Sequence, residues 1–379
     1  MKYKAIIILL SLIALFIGCD DEKERLISLP ELNLKAEAAL PERGDALYAS
    51  WLYLAPGLEQ VYDNALFKED IIELTFANPG EGTRVGLEMQ ECTIAHESYA
   101  EKISGTEDTI RWRFPVIWKL ETLRKWKQET PVELSWKITL DEQEIGTYRK
   151  EFSCHPAEEC VVKINPSLDI KAMYVGYLEE DNPILESLIS EAVDLGIVYM
   201  FCDYQRGTEY VKQQLFTIWS LLEKRGIKTR THGNNEGITQ TITPINQVLK
   251  NKGGSEEDVA LLFTALCQKI GFCTTLEPRP NGVYIGIADN FYSLQPERIY
   301  FLDMSKLSGS LENSSEDFEA ALSAGDLLHE EDSEAPSTHE EIWIDAVRLY
   351  VPSLSLSQNQ KHHHKCLSVS SSEFHILPE

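Results

Sequence analysis

Apolar and polar positions alternate at short range through residues 46–165. Runs rich in aromatic and β-branched side chains cover 48–54, 71–76, 84–93, 110–118, 132–140 and 148–154. Turn-forming clusters separate them, Asn78-Pro79-Gly80-Glu81-Gly82 and Asp141-Glu142-Gln143-Glu144 among them. Val132, Leu134, Trp136 and Ile138 alternate with Glu133, Ser135, Lys137 and Thr139, the period-2 pattern of a half-buried strand. The last two runs pair as a hairpin across 141–145. Trp112, Trp118 and Trp136 read as core residues rather than ligand platforms, because large aromatics are mostly buried. A series of short strands with no long helix predicts a β-sandwich over this half.

The pattern changes at 181–350. Asn182-Pro183 opens a helix whose apolar face is Ile184, Leu185, Leu188, Ile189, Ala192 and Val193. A second helix over 207–225 carries Tyr210, Val211, Leu215, Ile218, Leu221 and Leu222 and stops at Gly226. A polar Gly/Asn loop at 229–240 and an apolar stretch at 244–249 lead to the turn Gly253-Gly254. Ser255 is a good N-cap, and Asp258 three residues on makes a capping-box-like pair. Val259, Leu262, Phe263, Leu266 and Ile270 then share one helical face. Short strands follow at 273–276, 283–288 and 299–304. Residues 308–340 are rich in Ser, Glu and Asp and read as an exposed insertion. Residues 342–350 read as a further apolar element, and 351–379 as a flexible Ser/His tail. The expected class is α+β, an immunoglobulin-like β-sandwich at 46–165 followed by a mixed domain at 181–350.

The ends and the composition narrow the setting. Lys2 and Lys4 precede an apolar run at 5–17 that is too short for a comfortable membrane span. Residues 1–18 therefore read as a signal peptide, and 19–45, with Pro30 and Pro41, as a tether. Phe16-Ile17-Gly18-Cys19 resembles a bacterial lipoprotein lipobox. That resemblance implies acylation of Cys19, a stable membrane anchor through several acyl chains, and a place in the bacterial cell envelope, periplasmic or surface-facing. The alternative is an ordinary secretory signal with an incidental cysteine. At 379 residues with 43% hydrophobic content, the chain can fill two packed cores. Its net charge of −26 argues against nucleic acid as a partner. Of the eight cysteines, Cys92, Cys154, Cys160, Cys202, Cys267, Cys273 and Cys366 remain once Cys19 is set aside. The number is odd, so at least one thiol is free. Cys154 and Cys160 flank a short loop and form a candidate disulfide, although spacing alone does not fix connectivity.

The densest chemical signal lies at 252–272. Gly253-Gly254-Ser255-Glu256-Glu257-Asp258-Val259-Ala260, opening an apolar helix, resembles the nucleophile segment of the transglutaminase-like superfamily with its papain-like Cys-His-Asp triad. Alignment on Asp258 and Ala260 places Glu256 where that family has its cysteine. Pro280-Asn281-Gly282-Val283-Tyr284-Ile285 resembles the strand that carries the histidine, with Gly282 at the histidine position. Ile299-Tyr300-Phe301-Leu302-Asp303 resembles the strand of the acid, with Asp303 retained. Phe318-Glu319-Ala320-Ala321 and the segment 173–192 extend the resemblance across 46–350. In such a fold the thiolate sits at a helix start because unpaired N–H groups and the macrodipole favour an anion. A carboxylate gains about 0.3–1 kcal/mol from the same field, yet it is a poor acyl-transfer nucleophile. Glu256, Glu257 and Asp258 are equally explained as first-turn acids with no further role.

Loss of thiol and base together implies a catalytically inactive transglutaminase-like domain. Such a domain binds protein or peptide, or serves as an envelope scaffold. The alternative is an active thiol hydrolase, amidase or transglutaminase with a relocated cysteine. Cys202, Cys267 and Cys273 are the candidates, and His232 is the histidine nearest to the helix in the chain. No phosphate-binding Gly loop, His-Glu-x-x-His or Gly-x-Ser-x-Gly occurs. The sequence points to no metal or cofactor, and His362, His363 and His364 read as an incidental tail cluster.

Overall fold

The computed structural model describes residues 32–39, 44–62, 71–165, 168–230, 237–279, 282–288, 299–334, 342–343 and 354. The chain is mixed α and β, as expected. Its first part contains β1 (Lys35–Ala38), β2 (Ala46–Tyr48), α1 (Ala49–Tyr62), β3 (Ile72–Ala77), β4 (Arg84–Met89), β5 (Ser98–Ile103) and β6 (Thr109–Phe114). The short α2 (Leu120–Leu123), β7 (Thr130–Leu140) and β8 (Gln143–His155) follow. These strands form two sheets, of order β1-β3-β6 and β2-β8-β7-β4-β5. β7 and β8 are the anticipated hairpin. Its tip, Asp141-Glu142, has φ of 46° and 71°, the double left-handed turn whose twist suits a hairpin. Val132, Leu134, Trp136 and Ile138 are all buried. Trp136 meets Phe114 of the other sheet edge-on at 6.3 Å, so the two sheets share an interior. Trp112 and Trp118 are partly buried against the same core.

Two expectations for this half fail. The run at 48–54 is not a strand. Only Ala46–Tyr48 is extended, and Ala49–Tyr62 is a helix with Pro56 inside it. Residues 47–58 are buried without a break, Pro56 excepted. An apolar run with no alternation does not distinguish a buried strand from a buried helix. The tether is also shorter than expected. Lys35–Ala38 pairs antiparallel with Thr75 to Ile72, and Ala36 and Ala38 are buried. Alanine is a weak strand former, so this edge strand owes its place to the partner and not to propensity.

The second part begins with β9 (Glu159–Val161), β10 (Lys163–Asn165) and β11 (Leu168–Asp169), then a 3-10 turn at Lys171–Tyr177. α3 (Ile184–Val193) and α4 (Thr208–Lys224) match the two periodic helices of the sequence. β12 (Lys228–Thr229), β13 (Thr239–Thr241), α5 (Ile245–Asn251) and β14 (Gly253–Gly254) lead to α6 (Glu256–Ile270). β15 (Thr274–Arg279), β16 (Gly282–Ala288), β17 (Ile299–Asp303), α7 (Ser314–Glu334) and β18 (Ile342–Trp343) complete it. The main sheet has the order β17-β16-β15-β18 and is antiparallel throughout. α6 lies against β15 and β16. Leu276, Val283, Ile285, Ile287 and Leu302 of that sheet join Val259, Leu262, Phe263 and Leu266 of the helix in one core.

Residues 308–340 are not a simple exposed insertion. Most of them form α7, whose Phe318, Ala321 and Leu322 are buried. Spacing of i, i+3, i+4 makes these three one stripe inside an acidic composition, which hides it from a compositional reading. Gly325 marks the closest approach to β17. A β-carbon there would lie 2.2 Å from the Phe301 carbonyl oxygen.

One apolar core runs through both parts, from Ala36 to Leu322. Met173, Tyr174 and Val175 of the connecting turn are buried in it. Residues 46–165 and 181–350 therefore share an interior. Of the element expected at 342–350, Ile342–Trp343 pairs with β15 and the remainder lies outside the described residues. Of the expected tail, only Leu354 is described, and its N–H donates to the Gly176 carbonyl at 2.7 Å. Residues 1–18, Cys19 and His232 lie outside the described residues. No described helix is long and apolar enough to cross a membrane.

Candidate functional site

The start of α6 is built by two glycines and a capping box. Gly253 and Gly254 form a two-residue parallel pairing with Lys228 and Thr229. A β-carbon on Gly254 would fall 2.6 Å from Asp258 Oδ2, so a larger residue would displace that carboxylate. Ser255 Oγ accepts from the Asp258 N–H at 3.1 Å, and Asp258 Oδ2 accepts from the Ser255 N–H at 3.0 Å. Asp258 Oδ1 accepts from the Thr243 N–H at 2.7 Å. This buried acid is thus a structural clamp that ties the helix start to the approach to α5.

The three positions singled out by resemblance converge. A β-carbon built on Gly282 would lie 3.3 Å from Glu256 Oε2, 3.5 Å from Asp303 Oδ1 and 3.7 Å from Tyr284 Cε2. The convergence has a simple origin. Gly282 opens β16, Asp303 ends β17 directly opposite Tyr284, and the start of α6 meets the same end of the sheet. Glu256 Oε2 accepts from the Val283 N–H at 3.2 Å. Burial raises the Glu256 carboxyl above its ordinary value, helped by Glu257 and Asp303 and opposed by the Val283 N–H and Lys306. Asp303 is only 4% exposed. Its Oδ1 accepts from the Ser305 N–H at 2.9 Å, and its Oδ2 lies 3.3 Å from Lys306 Nζ.

The chemistry available here is that of two neighbouring carboxylates. Glu256 contributes an acid, and Gly282 contributes no side chain. Acyl transfer by the Cys-His route requires a thiol and an imidazole within hydrogen-bond reach, and neither is supplied by these three residues. Val283 and Tyr284 belong to the strand quoted for the resemblance but have no role there, and Lys306 is a further neighbour. Lys306 follows Asp303 at i+3, a spacing that invites an ion pair. The Val283 N–H is backbone, and no residue type could have signalled it.

None of the three alternative cysteines carries a thiol that favours the thiolate. Cys267 is fully buried in α6, and burial pushes its thiol well up. Cys273 is disulfide-bonded. The Cys202 thiol is raised by burial and then by Asp203, which disfavours the reactive thiolate. Cys154 and Cys160 do not form the expected disulfide, and both are free buried thiols. They belong to different ladders, Cys154 opposite Thr130 and Cys160 opposite Gln240. Each sulfur leans on the next carbonyl, His155 O at 3.9 Å and Val161 O at 3.8 Å. Burial pushes the Cys154 thiol up to about 12, and that of Cys160 higher still. His155 Nδ1 is 3.0 Å from Glu159 Oε2, and its ring stacks on Tyr48 at 4.5 Å, a structural engagement. Among the described residues, no group of three or more His, Cys, Asp or Glu is placed to hold a metal ion.

A separate cavity of about 410 Å³ lies between the two parts. Arg124, Tyr177, Glu179, Ile245, Asp258 and Leu261 are among its lining residues. The acids in it are already engaged. Glu179 accepts from the Ile245 N–H and from Asn182 Nδ2, and Glu158 pairs with Lys127 at 2.6 Å. Glu256, Gly282 and Asp303 are not in its lining, so it is distinct from their cluster.

No protein-family model, curated protein or solved structure matches the chain.

Proposed function

We propose that this chain is a lipid-anchored envelope protein whose transglutaminase-like domain has lost acyl-transfer chemistry and binds protein or peptide. On this reading residues 46–165 are an immunoglobulin-like sandwich and Cys19 carries the lipid. The observation that supports the reading is the meeting of Glu256, Gly282 and Asp303 at one point. Three weak motifs, far apart in sequence, fall within 3.5 Å of a common position. With two carboxylates and no imidazole, the cluster favours a basic or hydrogen-bond-donating group of a peptide over an acidic one.

The central test is enzymatic. The purified chain is expected to show no thiol-dependent hydrolysis of glutamine amides and no incorporation of a fluorescent amine into a glutamine-bearing peptide. Turnover that disappears in Cys202→Ala would overturn the proposal in favour of a relocated nucleophile. Restoring the lost pair supplies the positive arm. Glu256→Cys alone should give a sluggish thiol among carboxylates. Adding Gly282→His should speed iodoacetamide labelling at pH 6 about tenfold, because an imidazolium beside the helix start favours the thiolate. Gly282 has φ of 157°, so the histidine costs on the order of 1–3 kcal/mol in strain, and the double variant is compared at matched folded fraction. Equal labelling of single and double variants would mean that the positions are not equivalent to a catalytic pair.

The anchor has its own test. Cys19→Ser, produced in a diderm bacterium, should move the chain from the membrane pellet to the soluble fraction, because a single cysteine carries all the acyl chains. Retention in the pellet would exclude Cys19 as the anchor.

A further inference from the structure

Glu223 and Asp317 lie outside the cluster at Glu256, and nothing proposed above uses them. Glu223 stands in the last turn of α4 and is 1% exposed. Its Oε1 accepts from the Ser308 N–H at 3.3 Å and lies 3.3 Å from Ser308 Oγ. The same hydroxyl is 2.5 Å from Asp317 Oδ2, in the first turn of α7. Ser308 has one hydroxyl proton. Given to Asp317 at the shorter contact, it is not there to give to Glu223. The longer contact is a hydrogen bond only when Glu223 is protonated and donates to Ser308 Oγ. Glu223 Oε2 is buried without a hydrogen-bond partner. An ionised Glu223 would therefore hold a buried charge beside a second carboxylate, which the long contact from the Ser308 N–H and the neighbouring Ser314 offset only in part.

The surrounding charges do not relieve it. On α4, Lys224 is exposed, and Lys212 pairs with Glu319 of α7 at 3.0 Å, three turns away. Arg225, just beyond α4, is committed to Glu191 of α3. The stem of Lys228 packs against Gly309, while Glu312 and Glu316 are exposed. Ser220 Oγ and Ser314 Oγ, 2.9 Å apart, add an uncharged contact between the same two helices.

We propose that Glu223, Ser308 and Asp317 form a proton-dependent latch, which holds the first turn of α7 to the end of α4 and so braces the strand that ends at Asp303. The brace is α7 itself, whose Gly325 lets the helix settle on the Phe301 backbone of β17. Burial, reinforced by Asp317 against the opposing hydrogen bonds of Ser314 and Ser308, raises the Glu223 carboxyl from 4.5 to about 7. Once the latch opens, the group returns to its ordinary value. The latch is tightest below pH 4.5 and weakens as pH rises to about 7. Across that window the open fraction grows by up to about tenfold per pH unit, and above it no further change is expected.

Hydrogen exchange on the full chain, read by mass spectrometry and corrected for intrinsic rates, tests this. Peptides covering 305–325 should lose protection steeply between pH 5 and 7 and level off above, while peptides from α6 should not. Glu223→Gln, whose amide donates to Ser308 Oγ as the protonated acid does, should keep 305–325 protected at every pH. Asp317→Asn should move the transition to lower pH, because the neighbouring charge is gone. A wild-type profile with no such transition overturns the latch, as does a Glu223→Gln profile with the same slope. Should Glu223→Gln fail to fold, Asp317→Asn decides alone, and an unmoved transition overturns the proposal.

Discussion

Trp219→Ala is expected to remove about 3–5 kcal/mol of stability, the range for deleting a large aromatic from a packed core. Trp219 is fully buried on α4. Its ring meets Phe263 of α6 at 6.3 Å and Phe318 of α7 at 5.8 Å, both edge-on. It is thus the wedge between the helix that starts at the candidate site and the helix that covers β17. Loss of the indole leaves a void between three helices, and a void of that size cannot be closed without moving α7. Urea unfolding monitored by far-UV circular dichroism checks the value. A loss under about 1 kcal/mol would mean that the helices close over the gap and that the wedge is not needed.

Gly253→Ala is expected to cost more than about 3 kcal/mol for a different reason. Gly253 has φ of 133°, and a β-carbon there would sit 2.1 Å from the Lys228 carbonyl oxygen. The obstruction is backbone, so no rotamer change relieves it. The strand pair β12–β14 must part, and the Ser255 cap shifts with it. The same assay applied to Gly82→Ala gives the control, because Gly82 has φ of 82° but open space around its Cα. Similar losses at both positions would show that φ alone, and not the contact with Lys228, sets the cost.

Much of the frame was legible in the sequence. The hairpin of β7 and β8, the helices α3, α4 and α6, and the three strands after α6 all carry strong periodicity or clear stop signals. The capping pair of Ser255 and Asp258 was legible for the same local reason, since its partners are three residues apart. Two kinds of element were not. α1 and β1 are decided by what surrounds them: an apolar run without alternation for the first, and a partner strand more than thirty residues away for the second. α7 was concealed by composition, because a few buried residues suffice for one face of a helix that is otherwise rich in Ser, Glu and Asp. At the site, the sequence placed Glu256, Gly282 and Asp303 individually, but only the fold brings them together. Lys306 and the Val283 N–H complete the surroundings through backbone geometry that no residue type announces. The Cys154–Cys160 disulfide does not form: the two cysteines flank a short loop, but they sit on different ladders.

The continuous core has a consequence for how the chain can be divided. A cut in the connection after Asn165 would divide the core in which Met173, Tyr174 and Val175 are buried and leave apolar faces on both fragments. Each large side chain so uncovered forfeits about 1.5–3 kcal/mol. The two parts are therefore not interchangeable modules. A recombinant fragment ending or starting there would be a sticky, partly folded body, and a partner captured by such a fragment would report its newly bared surface and not the ligand of the intact protein.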